Sequence, residues 1–336
     1  MPHVLVAGHI CVDVVPGLPR RPDPSPGSLT EIGPLRLVPG GCVANTGSML
    51  ASLGEFVRIA ANVGDDELGR LLRTGLADSG LDPSTLATVP DLDTSYSIVL
   101  EPASSDRSIW HHLGANATFN GAGLDLADIA LLHLGYPALL PTLLDSGGSA
   151  LIRLLGRARQ RGATTSLDLS VVARGTRLDG YDWPAFLRRT LPYVDVLSPS
   201  ADDLGSMLGT AAVGSIDHLR ALASSLVGWG AGVVMITAGH DGLVVESAPQ
   251  ARLERGGAVL AGLAASWADA SLWVPAPKVA VTSTTGAGDA ASAAIIHALL
   301  RAQDPLAAAH TTVAIASARV GGKPVSGAAR PANHRA

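Results

Sequence analysis

The chain has 336 residues, 47% apolar and only 4% aromatic, with a formal charge of −5 at pH 7. This describes a soluble globular protein with a sizeable aliphatic and alanine core, not a membrane-spanning one, because the apolar stretch 258–270 is short and interrupted by Trp267 and Asp269. It also excludes a nucleic-acid binder, because the densest basic run, Arg252-Leu253-Glu254-Arg255, is broken by an acid, and it excludes a disulfide framework or a cysteine metal site, because Cys11 and Cys42 are the only cysteines.

A strand opens the chain over 3–8. Residues 14–38 are rich in proline and glycine, with apolar pieces at 29–32 and 35–38 that read as short strands and turns. Gly40-Gly41 leads into a helix over 43–53, followed by a strand over 57–61, a turn at Gly64-Asp65-Asp66 and a helix over 67–78. Alternation predicts a strand over 94–101 with a hairpin partner over 107–111. There His111 and His112 are adjacent, so they point to opposite faces, and neither is read as a metal ligand. From 129 onward strand and helix alternate. Strands are expected at 131–134, 164–168, 194–197 and 233–237, with helices such as 149–161 and 217–227 between them. A hairpin strand at 242–246 and helices over 287–301 and 305–320 complete the pattern.

Alternating strand and helix predicts an α/β fold with a mostly parallel, doubly wound sheet covered by helices on both faces. The two early β patches are out of phase with that rhythm and pair as one small accessory sheet, about 13–38 with 93–113. One domain over 1–336 is expected, with a mobile tail at 327–336. The Gly/Ala-rich stretch 248–272 reads as an added hairpin or helix. The N-terminal residues lack a basic leader pattern, which with two unpaired cysteines predicts a cytoplasmic protein.

The chemistry concentrates in 281–300, VTSTTGAGDAASAAIIHALL. A β-branched run enters Gly286-Ala287-Gly288-Asp289, and an alanine-rich helix follows at once. Unpaired N–H groups and the positive end of the helix dipole make an anion site there. A carboxylate beside it, Asp289, suits a group that removes a proton while negative charge is held next to it. Locally the same pattern also describes a turn with an acidic first residue.

A second motif lies about 240 residues earlier. Gly40-Gly41-Cys42-Val43-Ala44-Asn45 resembles the N-terminal signature of the ribokinase-like (PfkB) carbohydrate kinases, and Thr284-Thr285-Gly286-Ala287-Gly288-Asp289 resembles their C-terminal signature. Gly8 with Asp13, Val63 to Gly69, Gly114-Ala115-Asn116, Thr237-x-Gly239-x-x-Gly242 and Gly321-Gly322 follow in the family's order, so the resemblance covers 3 to about 325. It implies a doubly wound domain with a β-sheet lid, and transfer of the ATP γ-phosphoryl group to a hydroxyl with Mg2+. It further implies Asp289 as general base, with Gly286, Ala287 and Gly288 giving N–H groups to the developing charge. Asp13, Gly40, Gly41 and Asn45 would bind the acceptor, with Arg107 and Asn116 near it, and Thr237, Gly239 and Gly242 would contact the nucleotide. No GxxxxGK[ST] loop is present, so a P-loop kinase is excluded.

Three departures stand out. Where the family commonly has Asn-x-x-Glu, this chain has Ser200 and Asp203, so Asp203 is the expected water-mediated Mg2+ contact with a side chain one methylene shorter. Ser283 replaces the aspartate that usually opens the C-terminal signature, which makes activation by a monovalent cation doubtful. Asp168-Leu169-Ser170 loses a family asparagine and displaces its arginine, so neither Arg174 nor Arg177 receives a phosphate role. The resulting expectation is a kinase for the hydroxymethyl group of a small neutral sugar. A nucleoside kinase, with Tyr96, Trp110 or Phe119 as a stacking residue, and a non-catalytic sugar or nucleotide sensor are the alternatives. A homodimer through the lid is expected, because a small sheet with open edges tends to be covered.

Overall fold

The structure, a computed structural model, describes residues 3–23, 25–102, 107–172, 175–209 and 215–325. Arg174 and the tail 327–336 lie outside the described residues.

The first strands are β1 (His3–Gly8), β2 (Cys11–Pro16), β3 (Leu35–Gly40), β4 (Val57–Ala60), β5 (Asn62–Gly64), β6 (Ala87–Val89), β7 (Tyr96–Leu100) and β8 (Ser108–His112). They are followed by β9 (Ile129–Gly135), β10 (Thr164–Asp168), β11 (Val196–Leu197), β12 (Val233–Thr237), β13 (Leu243–Ser247) and β14 (Ser271–Val274). The helices are α1 (Gly41–Ser52), α2 (Glu67–Asp78), α3 (Pro141–Gln160), α4 (Trp183–Thr190), α5 (Ala201–Leu208) and α6 (Ile216–Gly228). Three short helices follow, α7 (Gln250–Leu253), α8 (Ala258–Ala261) and α9 (Ala264–Trp267), and then α10 (Ala287–Leu300) and α11 (Pro305–Val320).

The main sheet has eight strands in the order β14-β13-β12-β11-β10-β9-β1-β4. It is parallel from β4 to β12 and antiparallel at β13 and β14. Period-2 alternation assigns each strand's side chains to two buried faces. On one face Leu132, Leu134, Val234 and Ile236 pack with Leu151, Phe186 and Leu219 of α3, α4 and α6. On the other, Val233 and Met235 pack with Ile295, Leu299 and Val313 of α10 and α11, and Leu131 with Leu50 and Ile296. Burial on both faces explains why these strands read as continuous apolar runs.

Residues 29–32 form no strand. The break at Asp145–Gly148, where φ/ψ are not helical, explains why the regular part of α3 begins where the sequence predicted it. The stretch 248–272 holds the three short helices and the start of β14 rather than a hairpin or a single helix.

The second sheet has four strands, β3-β2-β7-β8, and joins the two out-of-phase patches. Its register puts Asp13, Ser97 and His111 on one rung. The neighbouring rung, Leu37, Val14, Ile98 and Trp110, points to the opposite face. Among the described residues no helix is long and apolar enough to cross a membrane.

Candidate active site

In a parallel sheet the carboxyl ends of the strands converge on one edge, where ligands bind. Gly8, Gly135, Asp168 and Thr237 end their strands on that edge. The lid reaches it through Asp13. Burial raises the Asp13 carboxyl above its ordinary range, while Cys11 and Ser97 stabilise the charged form, Cys11 Sγ donating to Oδ1 at 3.3 Å. Ser97 Oγ lies 3.0 Å from His111 Nδ1, and His111 Nε2 lies 3.3 Å from His9 Nε2. Burial keeps both imidazoles neutral, His111 being lowered to about 4 and His9 well below its ordinary value.

Gly40 and Gly41 join β3 to α1. A Cβ at Gly40 would sit 2.3 Å from Asp13 Oδ2, and one at Gly41, where φ is +81°, would sit 2.6 Å from His9 Nδ1. The glycines thus first make room for this chain's own Asp13 and His9, a nearer reason for them than approach to a sugar.

Asp289 lies in the first turn of α10 with 1% of its surface exposed. Asn45 Nδ2 donates to its Oδ2 at 3.0 Å and Thr46 Oγ1 to its Oδ1 at 3.2 Å. Tyr136, held at φ 64° just after β9, brings its hydroxyl beside the same carboxyl. Burial raises the Asp289 pKa, and Tyr136, Asn45, Thr46 and the Arg319 charge partly offset that. No side chain caps α10. The Ala287 N–H, expected to face an anion, instead closes on the Thr284 carbonyl at 3.2 Å, whereas those of Gly288 and Asp289 have no protein acceptor among the described residues.

A carboxylate accepts a proton only when ionised, so activity resting on Asp289 falls as pH drops through its raised folded pKa. Asn45→Ala removes a donor that stabilises the charged form, so the acid limb of kcat/KM should move to higher pH. A pH–rate profile with an unmoved acid limb would show that Asn45 does not tune this group.

The lid is tied to the loop before α10. Arg107 Nη1 donates to Thr284 Oγ1 at 2.5 Å, and Ser283 Oγ donates to the Glu101 carboxylate at 3.0 Å. Ser283 Oγ in turn accepts from the Thr285 N–H at 3.1 Å.

Several expected contacts are otherwise engaged. Asn116 is fully buried and clamps Ile10, donating to its carbonyl at 2.7 Å and accepting from its N–H at 3.4 Å. Asp203 forms a capping box, its Oδ2 accepting from the Ser200 N–H at 2.8 Å while Ser200 Oγ accepts from the Asp203 N–H at 3.1 Å. Thr237 ends β12 with its N–H on the Pro199 carbonyl at 3.1 Å, and Gly239 opens the turn that follows. At Gly242 a Cβ would sit 2.0 Å from the Val274 carbonyl, so that glycine serves the packing of the turn on the end of β14.

Burial raises the pKa of both Asp168 and Asp203, and Asp168 is raised further by the charges of Asp203 and Asp289. Among the described residues no three His, Cys, Asp or Glu groups form a metal cage. A hydrated Mg2+ needs only one or two carboxylates besides nucleotide phosphates. The Oδ1 of Asp203, which has no partner among the described residues, and the mutual repulsion of these acids fit that mode.

No motif marks His9, Thr46, Ser97, Tyr136 or Arg319 as site residues, and the sequence brings up His111 only as a candidate metal ligand. Register across the lid reveals Ser97 and His111; Arg319 carries no local signal.

The pfkB family carbohydrate kinase model matches residues 1–330. The aminoimidazole riboside kinase of Salmonella typhimurium is 26% identical over 265 residues, 79% of this chain and 74% of that one. The deoxyribokinase of Salmonella typhi is 25% identical over 330 residues, covering 95% and 93%. An E. coli structure solved with ATP and Mg2+ superimposes with a TM-score of 0.71 at 20% identity, covering 96% of this chain and 93% of its own.

Proposed function

The chain belongs to the pfkB family of carbohydrate kinases, phosphotransferases with an alcohol acceptor, and from that premise we propose that it moves the γ-phosphoryl group of ATP to a hydroxymethyl group of a small neutral sugar. The observation that carries this reading is the buried Asp289 carboxyl, held by Asn45 and Thr46 beside the open N–H groups of α10.

Asp289 takes the acceptor's proton as the oxygen attacks, and the start of α10 meets the charge on the transferred group. Asp13 accepts from the acceptor's other hydroxyls, with Ser97 and His111 on its rung. Thr237 and Gly239 border the nucleotide. Asp203 would hold Mg2+ through water, and the ion would neutralise phosphate charge. The neutral acceptor is supported by the inner face of the lid: its rung at the site is Asp13, Ser97 and His111, and the lid cation Arg107 is bonded to Thr284.

A riboside is the second reading, favoured by the aromatic wall of His9, Tyr136 and His111, with ring centroids 5.7 and 4.9 Å apart. Phe119 is buried in the core and leaves the set of stacking candidates. The chain acts as one domain in the cytoplasm. A homodimer through the lid is supported by the outer rung, where Trp110 is 58% exposed beside Ile98, Val14 and Leu37.

The test is ADP release from ATP and Mg2+ across neutral sugars, sugar phosphates and ribosides. Turnover with a neutral sugar supports the reading, preference for a sugar phosphate or riboside replaces the acceptor, and ATP binding without turnover on any acceptor favours a sensor. Replacing Na+ by K+ in the same assay should give no saturable rise in rate, because Ser283 offers no carboxylate of its own. A strong K+ requirement would show that Glu101, bonded to Ser283, takes that role.

A further inference from the structure

Arg319 stands in the last turn of α11. Among the described residues its guanidinium has no hydrogen-bond or ion-pair partner, although it is partly buried. It lies over the turn that starts α10: a Cβ built on Gly286 would sit 3.3 Å from Nη2, 3.4 Å from Nε and 3.6 Å from Asn45 Cγ. Its charge reaches Asp289. Arg319, Asn45 and Gly286, with Pro39, Ser48 and Ser52, line a cavity of about 260 Å³ that has no acidic side chain on its wall. An arginine at a helix C-terminus favours the helix dipole wherever it points. That role does not account for an unpaired five-donor fork against a helix start that no side chain caps.

We propose that Arg319 is the side-chain cation that meets the transferred phosphoryl group at the start of α10, resting on the kinase reading above. In that step the acceptor oxygen gives its proton to Asp289 and forms a bond to the γ-phosphorus. The bond from that phosphorus to the β–γ bridging oxygen breaks, and ADP leaves with the electron pair. Arg319 donates N–H groups to non-bridging oxygens and is itself unchanged. Guanidinium suits this task because its planar fork matches phosphate oxygens.

The experiment uses the full chain with ATP, Mg2+ and the acceptor that the ADP-release panel returns. Arg319→Gln is expected to lower kcat on the order of 10²–10³-fold, to move the acid limb of the pH profile upward because a charge that lowers the Asp289 pKa is gone, and to recover rate when guanidinium ion is added. Arg319→Lys keeps the charge and loses the fork, so its acid limb should match the parent while kcat stays reduced. A wild-type kcat in either variant overturns the proposal. So does a folded Arg319→Gln protein whose loss of rate comes with neither a pH shift nor guanidinium rescue, because that pattern marks a purely structural arginine. A parent protein inactive on every acceptor defeats the kinase reading itself, whereas an active parent with an equally active variant defeats only the role of Arg319.

Discussion

Replacing Asp289 by Asn should lower kcat by about 10³-fold, within the range of general-base contributions, and leave acceptor KM nearly unchanged. The amide has almost the same shape and keeps the helix start intact, but it cannot accept the acceptor's proton. Geometry makes the substitution clean. Asn45 and Thr46 hold the two carboxyl oxygens separately, and the side chain is buried. The amide can keep its oxygen on Asn45 and turn its nitrogen to Thr46 Oγ1, which also accepts, so only a small change in stability should accompany the large fall in rate. Steady-state kinetics together with a melting curve separate the two. An Asn variant within a few-fold of the parent would remove Asp289 from the chemistry and, with it, the observation on which the proposed function stands.

Asp195→Ala should be the most destabilising single change outside the site, costing about 3–5 kcal/mol and lowering Tm by roughly 5–10 °C. Asp195 is fully buried just before β11. Its Oδ1 pairs with Arg252 Nη1 at 3.2 Å, and its Oδ2 accepts from the N–H groups of Thr165 at 3.1 Å and Gly257 at 2.9 Å. Arg252 also donates to the carbonyls of Gly230 and Val194, both at 2.8 Å. One carboxylate thus joins β10, β11, α7 and the start of α8. Alanine would strand a nearly buried guanidinium and two N–H donors, and the cost of unpaired buried groups is what makes the effect large. This also gives the stretch 248–272 a structural account: its short helices are held to the sheet by polar contacts to Asp195, while Leu253, Leu260 and Trp267 join the core. A thermal or urea melt indistinguishable from the parent would refute the clamp.

Asp289 was legible because the elements that place it are local: a glycine turn, a helix start and an acid in one short run. Asp13 and Asn45 were legible only through the resemblance, as members of an ordered set of motifs. Asn116 and Asp203 fit the same set, yet one clamps Ile10 and the other caps α5. Motif order tells which residues lie near the site, not which atoms each side chain is bonded to. Ala287 makes the same point at the main chain, since its N–H turns inward to Thr284.

The sequence by itself determined the alternation of strand and helix, the two faces that each buried strand must cover, and the out-of-phase patches that had to pair elsewhere. These follow from periodicity, which is a property of short windows. Tertiary structure decided the lid rung of Asp13, Ser97 and His111, the two donors from α1 on Asp289, the Asp195 clamp and the position of Arg319 over Gly286. Each joins residues from separate elements, and the contact exists only after the sheet order and the strand register are fixed. A local pattern carries no information about which partner, far along the chain, will fill the space beside a given side chain.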